Sequence, residues 1–148
     1  MENNVLIKDD KEIENLIYEI RGKQVMLDSD LAMLYKCKNG TKTINLAVKR
    51  HINRFPERFM FRLMEEECKK ISRFHSETLK KRGHNIKYMP YAFTEQGVAM
   101  LSAILRTEVA EEVSIKIMDA FVAMRKYISS NLIEQKYINN LVIEDHDK

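Results

Sequence analysis

Basic and amide side chains recur between Lys36 and Phe55, a stretch of the chain without an acidic residue. Lysine and arginine bind phosphate groups, and the amide of asparagine can donate and accept hydrogen bonds at the edge of a base. The members of this set are Lys42, Asn45, Lys49, Arg50 and Asn53. Because most of them are three or four positions apart, a helix would place them on one face, where they could contact a polyanion together.

The helix that positions these side chains is predicted to begin at Thr41 or Thr43. Its apolar residues recur at three- and four-residue steps on the opposite face: Ile44, Ala47, Val48, Ile52 and Phe55. His51 is expected near this apolar face as a hydrogen-bonded structural histidine. The helical pattern ends at Phe55, because the residue before a proline is disfavoured in the helical conformation.

A shorter helix is predicted immediately before it. Asp28 and Ser29 can cap its start with their side-chain oxygens, and Leu31 and Leu34 would lie on its buried face. The pair Asn39-Gly40 would break it, since both residues tolerate the left-handed backbone of a turn. Two helices joined by a Gly-containing turn, the second basic on its outer face, predict a helix-turn-helix. The alternative is a plain helical hairpin whose charged face is simply solvated.

Two β-hairpins are predicted around the helical pair. Residues 16–20 and 24–27 are rich in β-prone side chains and flank a Gly-containing turn. Residues 59–63 alternate between two faces and are expected to pair with residues 87–93. Pro90 should confine that last strand to an edge or a bulge, because proline cannot donate a hydrogen bond to a neighbouring strand.

The positive charge is concentrated in the middle of the chain. Residues 36–87 contain 15 basic and 5 acidic side chains, a balance of +10, whereas residues 1–35 (4 and 8) and 88–148 (6 and 9) are negative. Such a block is typical of proteins that bind a polyanion, and nucleic acid is the commonest one. Within it, residues 68–87 are predicted to form an exposed basic loop, the tip of a wing, with consecutive cations at Lys80, Lys81 and Arg82.

Two further helices are predicted towards the C-terminus, with Thr94 and Thr107 as their caps. Gly97 lies in the first turn of the former, which indicates close packing at that point. The latter carries an apolar stripe made of Val109, Val113, Ile117, Ala120, Phe121, Met124 and Ile128. Residues 129–131 would break this helix before a last helical stretch. The fold class is therefore predicted to be α+β, a winged helix-turn-helix-like domain with small β-hairpins and a C-terminal helical pair.

The domain is expected to span residues 16–128, between a flexible segment at residues 1–15 and a helical tail at residues 129–148. Cys37 and Cys68 are the two cysteines of the chain, which indicates free thiols in a reducing compartment rather than a disulfide framework. The N-terminus lacks the pattern of a signal peptide, and no apolar run approaches the roughly 20 residues that span a bilayer. We therefore expect a soluble cytoplasmic protein without a membrane partner.

Catalytic and metal-binding patterns are missing from the sequence. It has no P-loop, dinucleotide fingerprint or nucleophile elbow. Cys68, His75 and His84 carry side chains that bind zinc, but their spacing matches no known ligand pattern. We expect a protein that is not an enzyme, with no cofactor, no metal and no small-molecule substrate.

The chain resembles a phage and prophage family, the N-terminal domain named for phage open reading frame six, which is related to the KilA-N and Bro-N domains of viral proteins. The most specific motifs are AVKR-x-I-x-RFP-x-RF and YAFTEQG. The resemblance covers roughly residues 17 to 127 in four stretches: Ile20–Tyr35, Asn39–Leu63, Tyr88–Leu105 and Glu112–Arg125. It implies a DNA-binding domain of an antirepressor-like regulatory protein.

The expected partner is therefore double-stranded DNA, and a homodimer is expected through the C-terminal tail. Asn45 and Asn53 would read adenine, while Lys49 and Arg50 would contact phosphates or guanine. Lys42 and Arg54 would hold the backbone register, and Thr43 belongs to the same DNA-binding set. Lys80, Lys81 and Arg82 would track phosphate or the minor groove. The alternative is a protein-interaction module whose basic block meets an acidic partner, such as a phage repressor.

Overall fold

A four-stranded antiparallel sheet stands at the middle of the fold, in a computed structural model that describes residues 10–71 and 89–147, with side chains up to residue 130. The strand order is β1-β2-β4-β3, with β1 Tyr18–Ile20, β2 Lys23–Leu27, β3 Met60–Arg62 and β4 Tyr91–Thr94. The helices are α1 Asp10–Glu14, α2 Asp28–Leu34, α3 Thr41–Arg50, α4 Glu65–Lys69, α5 Glu95–Leu105 and α6 Glu108–Asp147. This architecture confirms the predicted α+β class and its C-terminal helical pair.

The first hairpin forms as predicted. β1 pairs with β2, so that Ile20 lies opposite Lys23 and only two residues make the turn. Both turn residues have a positive φ, 57° at Arg21 and 73° at Gly22. This is the backbone of a type I′ turn, whose twist matches that of the flanking strands.

β4 is an internal strand, which makes the prediction of an edge position wrong. It pairs with β2 on one side, Val25 opposite Thr94, and with β3 on the other, Met60 opposite Phe93. Pro90 lies just before the strand begins, so its missing N–H removes no hydrogen bond from the ladder. Its carbonyl oxygen still accepts a hydrogen bond from the amide of Leu63 at 2.9 Å.

Successive strand residues point to opposite sides of the sheet. Apolar residues cover both of its faces. Met26, Met60 and Phe93 face the larger core, which also contains buried residues of α2, α3, α5 and α6. The smaller core lies on the other face and is formed by Ile20, Val25, Leu27, Phe61, Leu63, Cys68, Ile71, Met89 and Ala92. The sheet thus separates the two cores, and the helical pair α2–α3 packs on the side of the larger core.

The two predicted threonine caps are confirmed. Thr94 Oγ1 accepts a hydrogen bond from the Gly97 amide at 3.3 Å, and Thr107 Oγ1 accepts one from Ala110 at 3.0 Å. The predicted break at residues 129–131 is wrong, since α6 runs through it for 40 residues. Serine and asparagine have a modest helix propensity and do not end a helix by themselves. Within the described residues, no helix has the length and apolar character needed to cross a membrane.

The N-terminal segment is more ordered than its composition predicted. Residues 10–14 form α1, which packs on α6, and Ile13 is only 1% exposed. Within the segment 1–15 that was expected to be flexible, residues 10–14 are helical, and residues 1–9 lie outside the described residues. The buried side chain of Ile13 anchors this helix. The average polarity of the segment does not indicate such a contact, because the neighbours of Ile13 are acidic.

Candidate nucleic-acid interface

The connection between α2 and α3 begins with a left-handed residue that the sequence did not reveal. Lys36 has a φ of 56°, and it donates its backbone N–H to Met33 at 3.1 Å. The next amide, of Cys37, bonds to Ala32 at 2.9 Å, which completes a Schellman motif. Gly40, at a φ of 60°, precedes the first residue of α3 instead of breaking α2. Residues 35–40 thus join the helices, a longer turn than the three or four residues typical of a helix-turn-helix.

The start of α2 is held by a buried carboxylate. Asp28 and Ser29 do not form the predicted cap, because Leu27 occupies the cap position and Asp28 is already the first helical residue. Asp28 is 5% exposed; its Oδ1 accepts the Ser29 amide at 2.7 Å and its Oδ2 accepts the Tyr91 amide at 3.1 Å. The side chain therefore bonds α2 to the first residue of β4.

The end of α2 is fixed against α6. The Tyr35 hydroxyl and Ser114 Oγ are 3.1 Å apart within a buried hydrogen bond. Burial raises the pKa of Tyr35 to about 12, so the phenol stays neutral and can remain in this bond throughout the physiological range. Both ends of α2 are thus bonded to other elements, and α3 packs directly on this fixed helix.

The outer face of α3 presents the predicted polar set to solvent. Ile44 and Val48 are buried, and α3 packs against α2 and α5. The exposed residues include Lys42, Asn45, Lys49 and Arg50, whereas Thr43 is half-buried. Among the residues that the structure describes, no carboxylate lies within ion-pair distance of these three cations. The face is therefore cationic without internal neutralisation.

α3 ends at Arg50, earlier than predicted, and a 3-10 turn follows at Ile52–Arg54. Asn53 and Arg54 are exposed on this turn, so Asn53 does not share the helical face of Asn45. His51 and Ile52 were expected near the core and are instead exposed, Ile52 by 54%.

The tertiary position of Phe55 explains the early end of α3. Phe55 is buried, with its ring edge-on to that of Phe93 at 6.1 Å between centroids. Pro56 disfavours a helical conformation at Phe55, whose φ is −123° and ψ 72°. The chain must therefore leave the helix before Phe55 in order to bring this ring into the core.

Several cations of the basic block have structural partners. The Arg62 guanidinium lies 4.1 Å from the ring centroid of Tyr91, and Arg58 lies 5.3 Å from that of Phe59. Lys69 pairs with a glutamate one helical turn before it, at 3.6 Å. Some cations of residues 36–87 are thus engaged within the protein, so the balance of +10 overstates the charge that is available to bind a ligand.

The predicted wing lies outside the described residues, and so do Lys80, Lys81 and Arg82. His75 and His84 lie there too. Cys68 is buried in the smaller core. In the part of the chain that the structure describes, no cluster of three or more His, Cys, Asp or Glu side chains could hold a metal.

Leu46 is the residue of this face that the sequence analysis missed. Its side chain is 43% exposed on α3. It lines a groove of about 320 Å³ whose lining also includes Ile104 and Leu105 at the end of α5. Its position is visible in the sequence, since Leu46 is four residues after Lys42 and four before Arg50.

A wider groove of about 1030 Å³ lies between the β1–β2 hairpin, the start of α5 and α6. Its lining carries both signs of charge, including Glu19, Lys23 and Lys126. The Arg125–Glu95 ion pair also lies in this lining. This mixture favours no single class of ligand, so the acid-free face of α3 is the better candidate interface.

Comparison with known protein families matches residues 15–104 to the ORF6N domain, which covers more than half of the 148 residues. The chain belongs to the ORF6N domain family. This confirms the phage family that the sequence motifs indicated. No curated protein and no solved structure matches the chain.

The two most specific motifs of this ORF6N domain meet in the structure. Thr94 donates its hydroxyl to the Arg58 carbonyl at 2.8 Å and its amide to the Phe59 carbonyl at 2.9 Å. Gly97 lies against the same Phe59 oxygen, and a Cβ added there would come closer to it than real Cβ atoms do. YAFTEQG is thus a structural motif that joins α5 to the chain before β3. The AVKR segment, by contrast, supplies Lys49 and Arg50 to the exposed face.

Proposed function

We propose that this ORF6N domain binds double-stranded DNA sequence-specifically and belongs to a phage or prophage regulatory protein of the antirepressor-like kind, without catalysing a reaction. The observation that carries the proposal is the exposed, acid-free outer face of α3. An α-helix fits the major groove of B-DNA, where each base pair presents a distinct pattern of donors and acceptors. The ten residues of α3 span about 15 Å, enough to reach a few base pairs.

The exposed side chains of α3 divide into two roles. Asn45 reads adenine through its N6 and N7 atoms, and Lys49 and Arg50 bind phosphate or guanine. Lys42 and Thr43, in the first turn of α3, hold the phosphate backbone in register. These contacts place the axis of α3 along the groove.

The 3-10 turn after α3 adds contacts to the phosphate backbone beside those of the helix. Asn53 and Arg54 are assigned to the phosphate backbone, because they lie on the 3-10 turn and not on the face of α3. Lys80, Lys81 and Arg82 remain part of the proposal on the basis of their charge alone.

A salt titration of duplex affinity tests the proposal. The logarithm of the affinity should fall linearly with that of the salt concentration, by a slope of about −0.9 for each phosphate that the protein neutralises. A flat response between dilute and physiological buffer would contradict DNA binding. If the basic face serves an acidic protein instead, an excess of unrelated duplex will leave that protein bound.

A pair of α3 variants separates base reading from general attraction. Asn45→Ala should weaken binding to the best site by about 1–3 kcal/mol and relax the preference at one base pair, because only the base contact is lost. Lys42→Ala is the matched control and should weaken binding to every duplex about equally. Binding constants on specific and unrelated duplexes measure both effects. If the two variants behave alike on all duplexes, α3 does not read bases.

A further inference from the structure

Leu46 lies at the middle of the exposed face of α3. The four residues three or four positions from it are Lys42, Thr43, Lys49 and Arg50, so these are its neighbours on the helix surface. The buried side of the helix, at Ile44 and Val48, is on the other side of the axis. A large apolar side chain, 43% exposed, is thus surrounded by the side chains assigned to DNA.

The surroundings of Leu46 leave room for a ligand atom. Leu46 lines a groove of about 320 Å³ together with Ile104 and Leu105 of α5, and its side chain remains 43% exposed beside them. Single exposed leucines are ordinary on protein surfaces and need no function. Leu46 differs from Ile115, an equally apolar and 65% exposed residue on α6, because cationic and hydroxyl side chains flank it on the helix face.

The major groove offers a leucine one apolar group, the C5-methyl of thymine. We propose that Leu46 reads this methyl group and thereby selects thymine at one or two positions of the DNA site, an inference that rests on the proposed function. Asn45, the preceding residue, is assigned to adenine. Two consecutive residues point about 100° apart around a helix, so they meet different base edges. The site bound by α3 therefore contains at least one A·T pair.

Thymine-to-uracil exchange tests this assignment, because it removes only the methyl group. The preferred site is first selected from random duplexes at fixed salt. Each thymine is then replaced singly by deoxyuridine, and the dissociation constant is measured for the full chain, for Leu46→Ala, and for Ile115→Ala as the matched control. Loss of one buried methyl corresponds to about fourfold weaker binding. The same constant is measured for Leu46→Met, and thermal unfolding of the full chain and the three variants checks that folding is unchanged.

The expected result is a loss of about fourfold at one or two thymines for the full chain and for Ile115→Ala. Leu46→Ala should bind the thymine and uracil duplexes equally, while Leu46→Met, which keeps an apolar side chain, should retain most of the discrimination. The assignment is overturned if no thymine is sensitive, if Leu46→Ala keeps the discrimination, or if the selected site has no A·T pair. Specific, salt-dependent binding in those cases leaves the proposed function standing. Absence of duplex binding removes both.

Discussion

Gly97 lies against the carbonyl oxygen of Phe59, so that the first turn of α5 rests directly on the backbone before β3. The same oxygen accepts the amide of Thr94 at 2.9 Å. A backbone oxygen that is held by a hydrogen bond next to β3 cannot move aside as the end of a flexible side chain can. This contact therefore sets how closely α5, and with it the support of α3, approaches the sheet.

We predict that Gly97→Ala destabilises the fold by about 1–3 kcal/mol, because the new methyl group overlaps the Phe59 carbonyl. Helix propensity alone would give the opposite sign, since alanine is favoured over glycine by about 1 kcal/mol. The free energy of unfolding in denaturant measures the effect. Ala99→Gly, at an exposed position of the same helix, is the control and should cost about 1 kcal/mol. A stabilised Gly97→Ala variant would show that the close contact is absent.

At the scale of single residues, helical periodicity was sufficient to predict which residues of α3 face solvent. Lys42, Asn45, Lys49 and Arg50 lie inside a regular helix, where spacing determines the face. His51 and Ile52 were predicted wrongly, because the helix has ended before them and spacing no longer applies. The spacing of Leu46 from Lys42 and Arg50 placed it on the same face, but it was missed because only polar side chains were considered as contacts of that face.

Among the elements, the β1–β2 turn and α4 are joined by an arginine clamp. Arg21 donates through Nε to Glu67 Oε2 at 2.8 Å and through Nη2 to Oε1 at 3.0 Å. Its guanidinium also lies 4.3 Å from the centroid of the Phe61 ring. The hydrogen bond from Arg21 is the main reason that the pKa of Glu67 is lowered from its ordinary value of 4.5. The clamp covers the smaller core from the side of the hairpin.

The lowered pKa of Glu67 predicts the pH dependence of stability. A carboxyl group whose pKa is lower in the folded state stabilises the fold above its ordinary pKa, and this contribution is lost as the pH falls through the lowered value. Glu67→Gln should therefore be less stable than the wild type near neutral pH, by less than about 1 kcal/mol because solvent screens the pair. The difference should shrink below about pH 4.

Denaturant unfolding at several pH values measures this difference. Glutamine retains an oxygen that can accept the Met64 amide, now bonded to Glu67 at 2.8 Å. Its NH2 group cannot accept from Arg21 Nε, so the variant removes the charge and one hydrogen bond to Arg21, and the pH dependence of the difference reports the charge. Glu66→Gln, an exposed neighbour on α4, is the control and should show no comparable trend. A Glu67→Gln deficit that is constant from neutral to acidic pH would contradict the charge-based explanation.

The elements themselves were largely predictable where local chemistry decides them. Arg21-Gly22 suits a tight turn, and Thr94 and Thr107 suit helix starts, whatever the rest of the chain does. The internal position of β4 was not predictable, because it depends on pairing with two strands that are distant in sequence. The left-handed end of α2 at Lys36 was missed for a related reason. Lysine gives no signal for that conformation, which the Schellman hydrogen bonds hold in place.

Over the whole molecule, α6 is the longest element, and its 40 residues extend about 60 Å. Its first half packs on α1 and α5 through buried residues such as Ile117 and Phe121. In the sequence of its second half, Ile133, Tyr137 and Leu141 recur at four-residue steps, a spacing that predicts an apolar strip on a helix. We retain the proposal that this strip pairs with a second copy, because domains that read a few base pairs commonly bind as dimers.

Sedimentation of the full chain at tens of micromolar tests the dimer. We expect a dimer for the full chain and a monomer for a version that ends at Asn131. Leu141→Asp should also give a monomer by introducing a charge into the apolar strip, whereas Asn140→Asp adds the same charge beside it and should leave the dimer intact. A monomeric full chain contradicts the proposal. A dimer in every variant moves the interface into the domain body.

The placement of β4 also determines when the packing of α3 can be completed during synthesis of the chain. The α2–α3 pair is complete by residue 50, but the larger core that covers Ile44 also contains Phe93 and Phe121. Ribosomes add about 5–20 residues per second, so roughly 4–14 s separate the emergence of α3 from that of Phe121. Throughout this interval the apolar side of α3 lacks part of the larger core. The strand β4, which joins β2 to β3, becomes available only during the same interval. A nascent chain therefore displays the cations of α3 before the core that fixes their arrangement is complete, and that arrangement requires Phe121 to have emerged.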